Sequence, residues 1–131
     1  MNLSQYSKNI IMKTFQRWEV PKDFADPMYN YLVHGWTPGS CFTAVLANDF
    51  YRAMQSSHPA NTIEAFKALV GWITDHMPHE SFGSYEAVNA WSRKSADERR
   101  AVLEQHELIY TAKEETFLLI KGDPAHEPVL Y

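Results

Sequence analysis

Cys41, the single cysteine of the chain, is the residue with the clearest capacity for covalent chemistry. It lies near the predicted start of a helix, where the helix dipole can lower a thiol pKa. The six histidines, at positions 34, 58, 76, 79, 106 and 126, offer a base, so a small Cys/His-dependent hydrolase or transferase is one hypothesis. No local signature of a cysteine enzyme surrounds Cys41, and a lone cysteine at a helix start is usually a small buried hydrophobic residue. The sequence therefore favours a non-enzymatic protein.

A second candidate is a metal site in the segment His76-Met77-Pro78-His79-Glu80. Two histidines and a carboxylate can hold a divalent cation. Pro78 ends the helix between the two histidines, so they need not face the same way. We predict no metal site and no cofactor.

Asp49 is the best single-residue candidate for a binding site. At helical spacing it follows Phe42 and Leu46 and precedes Ala53, so it interrupts an apolar stripe. A carboxylate in such a place must find a donor or face a cleft. It is interpreted either as a structural group, capping or pairing with Arg52, or as a polar anchor in a binding groove.

The junction from His34 to Ser40 combines two glycines, a proline and Trp36 between two predicted helices. Its backbone amides at a helix start favour an anion, although a turn of this composition also serves simply to reverse the chain. An exposed tryptophan in such a turn is a natural interaction anchor, and one that folds back over the core is the equal alternative. The predicted binding surface comprises Trp36, Gly39, Ser40, Asn48, Asp49 and Arg52.

Hydrophobic periodicity and capping residues predict five or six short helices that would position these residues. Asp26 and Asn61 are predicted N-caps, Gly35 a C-terminal stop, and Ser84 and Ser95 further N-caps. One continuous helix is predicted over 40–55. Its expected apolar face consists of Phe42, Val45, Leu46, Phe50, Ala53 and Met54.

The C-terminal part is β-prone at 108–111 and 116–120, so a hairpin is preferred there over a continuing helix. The fold is thus predicted to be mainly α with a C-terminal β-hairpin (α+β). Residues 1–121 would form a single globular domain, and residues 122–131 a C-terminal tail.

Composition narrows the function classes. The 131 residues include 45% hydrophobic and 14% aromatic ones, enough for one packed core, and the net charge is −4. That balance, with Arg99-Arg100 as an ordinary solvated face, makes nucleic acid an unfavoured partner. With neither a signal-peptide pattern nor an apolar run long enough for a membrane span, we expect a cytoplasmic protein that does not engage a membrane.

The order of several motifs resembles a group of small proteins encoded by bacteriophages and prophages. The resemblance spans roughly residues 28–92 and follows the pattern His34-Gly35-x-x-Pro38-Gly39-Ser40, Ala44-Val45-Leu46-x-Asn48-Asp49, Phe82-Gly83-Ser84 and Trp91. Cys41 stands where those proteins carry an aromatic residue, and Phe82 where they carry tryptophan. Cysteine at an aromatic position argues against catalysis by Cys41.

The resemblance implies a phage setting more than an activity. We therefore expect an accessory protein that acts in the host cytoplasm by binding a host protein or a small anionic ligand, in host takeover or defence evasion. The alternatives are the Cys41 enzyme and an oligomeric phage structural or assembly protein.

Overall fold

The computed structural model describes residues 5–121, which contain eight α-helices and no strand. Short 3₁₀ turns at Lys22–Phe24 and His79–Ser81 precede the second and sixth helices. The α-helices are α1 (Gln5–Trp18), α2 (Ala25–His34), α3 (Ser40–Leu46), α4 (Phe50–Ser56), α5 (Ile63–His76), α6 (Tyr85–Arg93), α7 (Ala96–Gln105) and α8 (Ala112–Lys121). The mainly α class is confirmed, with more helices than the five or six predicted. The predicted tail at 122–131 lies outside the described residues.

Local capping chemistry explains several helix ends. Ser84 and Ser95 cap α6 and α7 as predicted, and Ser95 forms a reciprocal capping box with Glu98. Gly35 ends α2 at φ 71°, as predicted from its type.

Two predicted caps were wrong. The 3₁₀ turn runs directly into α2, so Phe24 is its N-cap and Asp26 lies in its first turn. Thr62, rather than Asn61, caps α5, and its hydroxyl accepts from the Ala65 amide at 3.1 Å.

The prediction of one helix over 40–55 was also wrong, because the chain breaks between α3 and α4. Asn48 adopts a left-handed conformation at φ 62°, which asparagine tolerates better than most residues. Asp49 then starts α4 as its N-cap. The break resets the helical phase, so Phe50, expected in the core, is 72% exposed, while Leu46 and Ala53 are buried.

The C-terminal β-hairpin was wrong as well: the second β-prone segment, 116–120, lies within helix α8, and the first, 108–111, precedes that helix without forming a strand. The Thr111 hydroxyl accepts from the Glu114 amide at 3.2 Å, and the Glu114 carboxylate accepts from the Thr111 amide at 2.8 Å. This capping box, a Thr-x-x-Glu pattern, starts a new helix after the chain has left α7. Local capping thus overrides the β propensity of the apolar residues that follow.

The core centres on Trp72 of α5, which is completely buried against Phe15 of α1 with the rings edge-on at 4.7 Å. The Trp72 indole nitrogen donates to the buried Thr14 hydroxyl at 2.9 Å, which in turn donates to the Ile11 carbonyl. Burial of the Trp72 ring stabilises the contact between α1 and α5. Because the indole nitrogen is hydrogen-bonded, the ring leaves no buried polar atom unpaired.

Side chains from α6 and α7 satisfy the last carbonyls of α2. The Trp91 indole donates to the carbonyls of Tyr31 and Leu32, each at 3.2 Å. The Arg99 guanidinium donates to the Val33 carbonyl at 3.0 Å and also to the Lys94 carbonyl at the end of α6. Arg99 is only 6% exposed, so its prediction as a solvated residue was wrong.

We expect Gly35→Ala to destabilise the fold by about 2 kcal/mol, since a β-carbon is disfavoured at positive φ. It would also lie 2.6 Å from the Arg99 Nη1 atom and 3.0 Å from the Ser92 carbonyl oxygen. Urea unfolding followed by circular dichroism measures the change. Gly39→Ala is the matched control, because φ there is negative and a β-carbon meets open space. An equal loss of stability in both variants would contradict this account of Gly35.

Candidate functional site

Asp49 joins two helices through its two carboxylate oxygens. Oδ1 accepts from the Arg52 backbone amide at 3.2 Å, which caps α4. Oδ2 accepts from the Tyr85 hydroxyl at 2.7 Å, and Tyr85 is the first residue of α6. The Arg52 Nε atom lies 3.8 Å from the same oxygen. The carboxylate is therefore a structural cap and, at the same time, a surface link between α4 and α6.

These contacts perturb both partners of the Asp49–Tyr85 hydrogen bond. The Tyr85 hydroxyl, followed by the Arg52 amide, holds the pKa of Asp49 below its ordinary value of 3.8. The same hydrogen bond raises the pKa of Tyr85 above its ordinary value of 10.0. Asp49 is thus ionised and Tyr85 neutral at physiological pH, so the bond is charge-assisted and persists there.

A polar cavity of about 530 Å³ opens beside this link. It lies between the 35–39 loop, α3, α4 and the start of α6, and hydroxyl and amide groups dominate its lining. The lining residues are Thr37, Pro38, Ser40, Thr43, Arg52, Gln55, Ser56 and Tyr85. Among them Arg52 alone is charged, and the Asp49 carboxylate beside it offsets its positive charge.

Trp36 stands at the entrance to the loop that supplies Thr37 and Pro38. Its ring is 62% exposed and stacks on the His34 imidazole at 4.8 Å between ring centres. Burial lowers the pKa of His34, which favours the neutral imidazole for this stacking. Of the two alternatives for Trp36, the structure shows the exposed one. We call the surface formed by Trp36, Thr37, Ser40, Arg52 and Tyr85 the Trp36 face.

An apolar groove of about 380 Å³ lies on the other side of Asp49, between α4 and α5. We call it the α4–α5 groove. Phe50, Ile63 and Val70 line it with exposed fractions of 72%, 70% and 49%. It also contains Val45, Asn48, Asp49, Ala53, Met54, Phe66 and Lys67.

The predicted binding residues therefore divide between two surfaces. Ser40 and Arg52 line the polar cavity, while Asn48 and Asp49 line the α4–α5 groove. Gly39 is the exposed N-cap of α3, with no side chain to close the turn.

Sequence reasoning missed Tyr85 and the exposed residues of the groove: Phe50 was expected in the core, and Tyr85 and Ile63 were not singled out. The available signal was positional. Tyr85 and Ile63 each directly follow an N-cap hydroxyl residue and are 37% and 70% exposed. The first residue after an N-cap lies at the end of its helix, where a large side chain can remain on the surface.

Cys41 lies in the first turn of α3 beside α4, where its thiol donates to the Ala53 carbonyl at 3.3 Å. Burial raises the pKa of this thiol above its ordinary value of 9.0. The environment therefore favours the thiol over the thiolate, the opposite of what an activated nucleophile requires.

Within the described part of the chain, no three metal-ligating side chains come together. His76 tilts against the Trp72 ring and His79 packs edge-on against Phe82. No helix among residues 5–121 is long and apolar enough to span a bilayer.

Comparison with protein-family models, curated proteins and solved structures finds no match to this chain.

Tyr85→Phe should raise the pKa of the Asp49 carboxyl towards its ordinary value, since it removes the largest cause of the lowering. Asp49 stabilises the fold above its unfolded pKa, and this contribution is lost as pH falls through the lower folded pKa. Side-chain carboxyl titration by NMR measures the pKa of Asp49 in the wild type and in Tyr85→Phe. Glu98, whose pKa is lowered by its Ser95 capping box, is the internal reference and should not move. An unchanged Asp49 pKa in Tyr85→Phe would refute the assigned cause.

Cys41 should react with iodoacetamide near neutral pH more slowly than a cysteine in an unfolded peptide, because its thiolate is disfavoured and its thiol is hydrogen-bonded. The rate in urea-unfolded protein is the control, and mass spectrometry follows the adduct. Faster modification in the folded state would instead support an activated thiolate and reopen the Cys41 enzyme hypothesis.

Proposed function

We propose that this chain is a phage- or prophage-encoded accessory protein that binds a host protein through the Trp36 face. The observation that carries the proposal is the Trp36 ring, largely exposed yet stacked on His34. The next two residues of its loop, Thr37 and Pro38, line a polar cavity together with Arg52 and Tyr85. Tryptophan, tyrosine and arginine are the residues enriched at binding hot spots.

Preorganisation supports this assignment. The His34 ring limits the orientations of Trp36, and Gly35 connects both to the end of α2. The Tyr85–Asp49 hydrogen bond fixes one wall of the cavity relative to α4. A face ordered before binding loses less conformational entropy in a complex, which strengthens association without additional contacts.

A protein partner fits the electrostatics better than a small anionic ligand does. Asp49 lies against Arg52, so an anion at Arg52 would meet a carboxylate that is already ionised. At the N-terminus of α3, the cap Gly39 and the first residue Ser40 carry no positive side chain that would bind an anion.

The phage setting comes from the resemblance of the motifs between residues 28 and 92 to small phage proteins. Host takeover or defence evasion in the host cytoplasm is the role that this setting implies. The motif residues Pro38 and Ser40 line the polar cavity of the Trp36 face, and the motif residues Asn48 and Asp49 line the α4–α5 groove.

Trp36→Ala should reduce capture of a specific host protein by at least about tenfold, because the variant loses the aromatic anchor. The experiment incubates immobilised protein with bacterial lysate and quantifies bound proteins by mass spectrometry. Phe117→Ala is the matched control, because Phe117 is an aromatic residue of similar exposure that does not line the polar cavity. Both variants must retain the wild-type melting temperature. Equal capture by Trp36→Ala and wild type would contradict binding through the Trp36 face.

A further inference from the structure

The α4–α5 groove carries an unusual concentration of exposed apolar surface. Phe50, Ile63 and Val70 line it, and Tyr51, 79% exposed, lies beside Phe50 in the chain. The three lining side chains expose roughly 300 Å² in all, the lower end of the range for the largest apolar patch on a monomer. A patch of that size on a monomer is often functional.

The charges of the groove are balanced. Asp49 and Lys67 are its charged lining residues. Asp49 is held by Tyr85 and Arg52, whereas Lys67 forms no ion pair with any described residue. The groove thus presents one acid and one unpaired base within a single apolar patch.

That combination is self-complementary. A two-fold contact places a patch against an identical patch, so a patch with charges of one sign would repel itself. Here each Lys67 can approach the Asp49 of the other copy. The exposed α5 side chains Ile63 and Val70 line the groove, so in a two-fold contact they can pack against the same apolar side chains of the other copy.

We propose that the α4–α5 groove is an isologous dimer interface and that its occupant is a second copy of this chain. The exposed apolar area is less than half of the roughly 800 Å² that each partner buries in a standard interface. The flanking polar residues supply the rest, which predicts a reversible, concentration-dependent dimer rather than an obligate one.

The inference is independent of the proposed function, because the Trp36 face lies outside the groove. Asp49 separates the two surfaces: its Oδ2 atom faces Tyr85 of the Trp36 face, and its side chain borders the groove. A dimer built on the groove leaves a Trp36 face free on each copy, so it would bind a host protein bivalently.

Sedimentation velocity of the full-length protein from about 5 to about 500 μM tests the proposal. Wild type should move from the 15.1 kDa chain mass towards twice that mass as concentration rises. Ile63→Glu should weaken the dimer by at least about tenfold, because it places a carboxylate in the apolar contact. At the first residue of α5 that carboxylate favours the helix dipole, so the monomer stays folded.

Ile120→Glu is the matched control, the same substitution at an isoleucine that is 81% exposed on α8. It should dimerise like wild type, and so should Trp36→Ala. Lys67→Glu should weaken the dimer by opposing like charges, while Lys67→Arg should retain it.

Wild type that stays monomeric at every concentration would overturn the proposal, whether the groove is open or covered by residues 122–131. A dimer that survives Ile63→Glu but not Ile120→Glu would also overturn it, by placing the contact on α8. Neither outcome bears on host-protein capture through Trp36, which is measured separately.

Discussion

The buried Arg99 guanidinium is the constraint on which the surface of this protein depends. A buried cation is costly unless its donors are satisfied. Here carbonyl oxygens at the C-terminal ends of α2 and α6 satisfy it. Those helix ends carry partial negative charge, so a cation is favoured there electrostatically. Arg99, a residue of α7, therefore joins the C-terminal ends of α2 and α6.

This arrangement determines where the chain leaves α2. Trp91 and Arg99 together bond the carbonyls of Tyr31, Leu32 and Val33. Gly35 then turns the chain at φ 71°, and a β-carbon there would lie 2.6 Å from the Arg99 Nη1 atom. Trp36 emerges at a defined place as a consequence, with His34 beneath its ring. A core interaction thus positions an exposed anchor.

Asp49 likewise fixes the position of the segment between α3 and α4. Its backbone amide donates to the Ala44 carbonyl at 2.8 Å, and its side chain starts α4 and reaches Tyr85. From the sequence, Asp49 was either a structural cap or ion-pair partner of Arg52, or a polar anchor in a binding groove. The structure shows the cap and the proximity to Arg52. Asp49 also lines the α4–α5 groove, and its role in binding stays a prediction. The polar cavity and the apolar groove meet at this residue because the helix break exposes it.

The sequence predicted the features that depend on local chemistry: the helical class, the Ser84 and Ser95 caps and the Gly35 stop. It could not predict features set by contacts distant in the chain. Arg99 reads as a surface residue until α2 is placed against it, 66 residues earlier. Nothing near Tyr85 in the sequence indicates that its hydroxyl would bond Asp49, 36 residues earlier. The break at Asn48 reversed the expected burial of Phe50, although Ala53 is buried as predicted.

Native mass spectrometry of the untagged protein isolated from phage-infected or expressing bacteria tests the central claim most directly. The account predicts a specific complex heavier than two copies of the 15.1 kDa chain, with a host protein released on activation. A bare monomer or homodimer, or an added mass of small-molecule size, would contradict it.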